Sequence, residues 1–380
     1  MRFGVMAAAL FLSACATSEA LPSAAPAAAE TIGAWTEIAP TPMRLDGRLY
    51  TPTCSHAPGA DPAYRFWFHQ GSGDGLVIFF DGGGACWDDV TCAVPRLASD
   101  ARDDDGFYKA ELIPTDNPNR FSGIFDLDNP RNPVRGWSIV YVPYCTGDVH
   151  TGANTAHYIN PDTGAPYTIE HHGADNFRVI LSWMRENLPQ PTRLLVAGSS
   201  AGAYGASTHF VRIREAFPRG QALMLGDAGQ GVATAAFLEK RDANWRYAAP
   251  RGLFARGETL TPESDVVARL AARYPGDRFA QYTTAHDLTQ SGFYALMGVE
   301  NACAAWTEAM TRDLARRQQA ANFHSYLAAG QSHSILRSPD FYTQRSGGAP
   351  FAEWVAALLS GGGENRACED CLRQAPPCRF

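Results

Sequence analysis

Short apolar runs and longer amphipathic stretches take turns along this chain. Leu76-Val-Ile-Phe-Phe80, Leu194-Leu-Val-Ala197 and Leu223-Met-Leu225 are brief and continuous, the pattern of strands buried on both faces. Arg278-Phe-Ala-Gln-Tyr-Thr283 alternates, and Asn322-Phe-His-Ser-Tyr-Leu327 is also strand-like. Residues 175–186 and 203–216 read as helices, the second stopped by Pro218. Strands parted by helices predict an α/β chain with a mostly parallel central sheet.

The residues just past each run carry the chemistry. Leu194–Ala197 passes directly into Gly198-Ser-Ser200-Ala-Gly202. A serine on a sharp turn between strand and helix holds its hydroxyl out, and side chains at the two glycines would collide with neighbouring backbone. Ser200 is therefore a candidate nucleophile for acyl transfer. An ordinary strand-to-helix loop can carry the same string, so the remainder of the constellation decides. A nucleophilic serine needs a base, and the base needs an orienting carboxylate. In α/β hydrolases these come in the order Ser, acid, His. Thr284-Ala-His286-Asp287 comes after one strand, and Ala329-Gly330-Gln-Ser-His333 after the next. Ends of this kind are where open α/β sheets gather their active sites. Asp227 competes with Asp287 for the acid. It also lies just past a strand, but one strand early, and it is assigned to structural support of the serine turn. Asp81-Gly82-Gly83-Gly84 after Leu76–Phe80 frees backbone N–H groups to meet a developing oxyanion.

Together these pieces resemble the pectin acetylesterase/Notum family. The resemblance runs in order through Cys54, Pro62-Ala63-Tyr64, Gly82–Gly84 with Cys86, Gly123-Ile124, Asn132-Pro133, Val142–Cys145 and Gly147–His150. It continues through Gly198–Gly202, Asp227-Ala228-Gly229, Asp287-x-x-Gln290 and Gly330-x-x-His333. It implies an α/β-hydrolase fold and ester hydrolysis without a cofactor. It makes Ser200 the nucleophile, His333 the base and Asp287 its partner, with N–H groups of Gly83, Gly84 and Ala201 as the oxyanion hole. This chain has Ala85 where plant members have tryptophan, places Trp87 after the cysteine, and adds a tail with three cysteines.

The N-terminus changes the picture of location. Met1-Arg2 and an apolar stretch lead to Leu12-Ser-Ala-Cys15, the layout of a secretory leader, too short to span a bilayer. The Leu-Ser-Ala-Cys ending resembles the bacterial lipobox, which implies cleavage before Cys15 and lipid attachment to it. Residues 1–15 are thus a lipoprotein signal peptide, 16–33 an Ala/Ser/Pro-rich flexible tether and 34–380 one catalytic domain. The protein is expected in the periplasm or on the outer membrane, a monomer held to the membrane by that lipid alone.

Apolar residues make up 45% of the chain, enough for a sizeable core, and 25 Pro with 35 Gly imply long loops. A net charge of −7 without a basic block argues against nucleic acid. The expected substrate is a small acyl ester or an acetylated glycan. Nine cysteines less Cys15 leave eight, which in an exported chain suggests disulfides. Cys86 and Cys92 flank a short polar, flexible-looking loop beside the glycines and are expected to pair. The pairing of Cys54, Cys145, Cys303, Cys368, Cys371 and Cys378 is open. Asp148 with His150, His171-His172 and Asp103–Asp105 have no partner pair at a recognised metal spacing, so no metal is expected. The Asp run reads as a solvated loop, His171-His172 as surface, and Asp148–Gly152 as pocket lining. Two rival readings remain: an amidase or peptidase with the same triad, and an idle binding lipoprotein on the same fold.

Overall fold

Among the described residues, nine strands form the central sheet, and the apolar runs supply its middle. The computed structural model describes Met1, residues 33–97, residues 106–373 and Cys378. Cys15, the leader and tether but for Met1 and Gly33, and Asp103–Asp105 lie outside these residues. In chain order the strands are β1 (Trp35–Ile38), β2 (Phe66–His69), β3 (Gly75–Phe80), β4 (Ser138–Val142) and β5 (Arg193–Ser199), then β6 (Gln221–Asp227), β7 (Arg278–Thr284), β8 (Phe323–Ala328) and β9 (Arg366–Ala367). Across the sheet they run β1-β2-β4-β3-β5-β6-β7-β8-β9. Every pair from β4 to β9 is parallel, and β1 and β2 join antiparallel at one edge.

A parallel sheet covered on both faces has no polar side, which is why its strands read as unbroken apolar runs. All of β3 is buried, as is all of β5 after Arg193. Ile78, Val140, Leu195, Val196, Met224 and Phe279 sit in one core with residues of the covering helices. These helices are α1 (Gly173–Asn187), α2 (Ala201–Ala216), α3 (Ala235–Trp245), α4 (Val266–Arg273), α5 (Leu288–Leu296), α6 (Ala302–Arg317) and α7 (Phe351–Leu359). Thr234 and Asp265 cap α3 and α4 by accepting from Phe237 N and Ala268 N. α2 packs on β5 and β6 and starts directly after Ser200, two residues before the sequence pattern suggests. α1 likewise starts early, at Gly173, where the Asp148 carboxylate accepts from its N–H at 2.7 Å.

One expectation about burial is overturned here. His171 is not on the surface: it is fully buried, with Nδ1 against Thr146 O and Nε2 against the Tyr158 hydroxyl, each at 2.9 Å. It ends an inward-packed hairpin strand, Pro166–His171, and an inward position on a strand overrides the polarity of the side chain. His172 beside it is partly exposed and meets Glu170 at 2.9 Å. The cysteine-rich tail begins directly after β9, which extends the sheet beside β8. The disulfides are Cys54–Cys145, Cys86–Cys92, Cys303–Cys378 and Cys368–Cys371. No helix among the described residues is long and apolar enough to cross a membrane.

Candidate active site

Ser200 occupies the turn between β5 and α2 with φ 56° and ψ −122°, a conformation that non-glycine residues rarely hold. The turn is possible because its glycines let backbones touch. A Cβ at Gly198 would stand 2.1 Å from Gly202 O, and one at Gly202 would stand 2.0 Å from Phe80 O. Strain of this order persists only where the surroundings fix it, and it presents the Ser200 hydroxyl to the cleft beyond the sheet.

The glycine loop after β3 packs against this turn. A Cβ at Gly82 would lie 2.8 Å from Ser199 O, and Gly84, at φ +77°, would drive one to 2.0 Å from Phe107 O. Gly83 O accepts from Lys109 N at 2.8 Å, and Ala85 N donates to Phe107 O at 2.9 Å. The N–H groups of Gly83, Gly84 and Ala201 have no acceptor among the described residues. Asp81 anchors the start of the loop. Burial would raise its carboxyl, but Arg337 and Lys109 beside it hold it down at about 2. The Cys86–Cys92 segment carries exposed polar positions at its tip, but its two ends are anchored. Both cysteines and Trp87 are buried, Cys86 O accepts from the Trp245 indole at 2.8 Å, and Trp87 N donates to Thr91 Oγ1 at 2.9 Å.

Beyond β7 and β8 two loops meet. His286 N donates to Gly330 O at 3.1 Å, and the Thr284 hydroxyl to Ser332 O at 2.8 Å. This brings His333 Nδ1 to 2.8 and 3.0 Å from the two Asp287 oxygens. Asp287 is fully buried and caps α5, accepting also from Gln290 N and Gln290 Nε2 at 2.9 and 3.0 Å. Burial would lower the basicity of His333, but the neighbouring Asp287 charge outweighs it and holds the imidazole above its ordinary range. Its Nε2 is buried without a hydrogen bond, so no bond to Ser200 is made in this state. Such contacts commonly close only when substrate binds. Asp227 makes no hydrogen bond to the imidazole, although its charge acts on it. It accepts from the Ser199 hydroxyl at 2.7 Å and from backbone N–H groups of the histidine loop.

One cleft of about 1310 Å³, its open mouth included, contains Ser200, His333, Gly84 and Ala201. Ala85, Trp87, Val149, Phe237, Trp245, Phe293 and Met297 give it apolar walls, with Arg241 and Arg316 among its polar lining.

The sequence pattern of the pectinacetylesterase family matches residues 53–250. The chain belongs to that family. No curated protein matches it in sequence. Among solved structures it is similar to the Wnt deacylase Notum from Drosophila, with a TM-score of 0.58 at 15% identity over 90% of this chain and 100% of that one. The fold is that of the α/β hydrolases, and this pectinacetylesterase-family chain is an esterase-type hydrolase.

In this family member the structure brings Ser200, His333, Gly84 and Ala201 to one cleft and Asp287 behind His333. Asp148 does not line that cleft. It is buried, accepts from the Thr146 hydroxyl and from three N–H groups, and its carboxyl is pushed up to about 6 by burial. Its neighbours Val149 and Thr151 line the cleft instead. Arg337 and the distant wall residues Phe237, Trp245, Phe293 and Met297 are not among the candidates that the sequence singles out. The Asp81–Arg337 pair spans 256 positions and leaves no local pattern to detect.

Proposed function

We propose that this protein is an exported serine carboxylesterase that acts through Ser200, His333 and Asp287. The observation that carries the reading is one imidazole with two distinct nitrogens. Nδ1 is bonded to a buried carboxylate at 2.8 Å, while Nε2 is unpartnered and His333 lines the cleft that holds Ser200. His333 takes the Ser200 proton as the hydroxyl oxygen attacks the ester carbonyl. Asp287 fixes the tautomer and stabilises the imidazolium. The oxyanion is met by the N–H groups of Gly83, Gly84 and Ala201, which have no other acceptor among the described residues. Collapse releases the alcohol, which receives the proton from His333, and water then hydrolyses the acyl-enzyme by the same relay.

The substrate class is an acetyl or other short-chain ester, on an acetylated glycan or a small alcohol. Apolar walls beside the glycine loop suit a short acyl group. The apolar leader and its Leu-Ser-Ala-Cys15 ending support export of this domain, at 34–380, and a lipid anchor. Turnover of p-nitrophenyl acetate by wild type and Ser200→Ala tests the mechanism. A loss of roughly 10⁴ to 10⁶ in kcat is expected, because the members of such a triad act as a unit. Near-wild-type turnover in folded Ser200→Ala would overturn it, and peptide hydrolysis in place of ester hydrolysis would favour the amidase reading.

A further inference from the structure

We infer that Asp227 is a positioning residue that sets the distance between the serine turn and the histidine loop by bonding both. The inference rests on the reading of Ser200 and His333 as the nucleophile and base. Asp227 is the last residue of β6, the neighbour of β5 in the sheet, so its backbone and side chain both face the serine turn. Its carbonyl accepts from Ser200 N and its carboxylate from the Ser199 hydroxyl, each at 2.7 Å. The same carboxylate reaches across to the histidine loop. It accepts from Ile335 N at 3.1 and 2.9 Å and from Leu336 N at 2.9 Å.

Three buried carboxylates at the ends of parallel strands thus hold one short loop. Asp287 holds the His333 ring, Asp227 holds the backbone at Ile335 and Leu336, and Asp81 holds the Arg337 side chain. Ser334 lies between the first two grips at φ +58°, a left-handed position that a serine keeps only when its flanks are fixed. Asp287 orients the ring but touches nothing on the serine turn. Without Asp227, two buried N–H groups would lose their acceptor, and the loop would move to find others. A misplacement of about 1 Å between reacting groups can cost about 10²-fold in rate. Asp227 is not a second acid, because its oxygens are filled by donors other than the imidazole.

The test compares kcat and KM for p-nitrophenyl acetate in Asp227→Asn, Ser199→Ala and their double variant, with Ser200→Ala and Asp287→Asn beside them. Asp227→Asn should lower kcat by about 10- to 100-fold with KM within about twofold. Ser199→Ala removes only the side-chain link to the turn and should lower kcat by about three- to tenfold. The double variant should be little worse than Asp227→Asn, since both remove one link. If Asp227→Asn does not fold, the fall in kcat at constant KM in Ser199→Ala carries the test. Wild-type kcat in both folded single variants would overturn the inference. So would a loss in Asp227→Asn as deep as in Asp287→Asn with the acid limb of the pH profile abolished, which would make Asp227 the acid. Retained turnover in Ser200→Ala would instead sink the underlying mechanism, which separates the two failures.

Discussion

At the scale of single residues, the site depends on how each carboxylate is used up. Asp287 spends part of its capacity on Gln290 and the rest on the imidazole, so it holds a charge beside His333 in a place that water does not reach. That charge raises the imidazole above its ordinary range. A general base must be neutral to accept the serine proton, so a raised value moves the acid limb of activity to higher pH. We expect kcat/KM to fall with acid through a midpoint above about 6.5, the usual histidine value. Asp287→Asn should lower kcat by roughly 10³ to 10⁴-fold and move the residual acid limb to lower pH, because the anion that raises the imidazole is gone. An unchanged midpoint in that variant would show that another group controls the limb.

At the scale of elements, the loop from Gly82 to Cys92 has to hold amide groups in place although its glycines are costly to order. Its surroundings do this. The Cys86–Cys92 disulfide closes it, the Trp245 indole from α3 bonds Cys86 O, and Trp87 packs against Phe237. Closing so short a loop adds about 2 kcal/mol by chain entropy. Because both sulfurs are fully buried, replacing them also removes packed volume. The double variant Cys86→Ala with Cys92→Ala should therefore lose about 2–4 kcal/mol of stability and lower kcat more than it raises KM. Thermal melts and steady-state kinetics on the same preparation check this. Full kcat in the double variant would detach the disulfide from catalysis.

At the scale of the whole molecule, the sheet gathers the loops after β3, β5, β6, β7 and β8 at its carboxyl edge, and each contributes a named residue of the site. The tail reaches the same edge. Cys371 O bonds His286 Nε2 at 2.9 Å, next to Asp287 in sequence, so the Cys368–Cys371 turn buttresses the acid loop. The proposed lipid at Cys15 belongs to this scale as well, since it places the domain rather than shaping it. In a bacterial host Cys15→Ser should move the protein from the membrane fraction to the soluble fraction while leaving kcat unchanged. Equal membrane retention of both forms would refute the anchor.

Features confined to neighbouring residues were legible in the sequence. Continuous apolar runs marked β3, β5 and β6, and a glycine-flanked serine at the end of one marked the strained turn, because backbone torsion and burial period are written in adjacent positions. The glycine loop was legible in the same way, and the proposed roles of Ser200, Asp287 and His333 rest on their order after successive strands. The meeting of distant groups was settled by the folded chain instead. Asp227 and Asp287 look alike in sequence, each just past a strand. One faces the serine turn because β6 lies beside β5, and the other faces His333 because the loops after β7 and β8 are bonded together. His171 is buried by the hairpin that carries it, the tail cysteines are placed by β9, and Arg337 finds Asp81 across 256 positions. Such contacts depend on strand order and chain path. No local period encodes them, so they exist only once the sheet has formed.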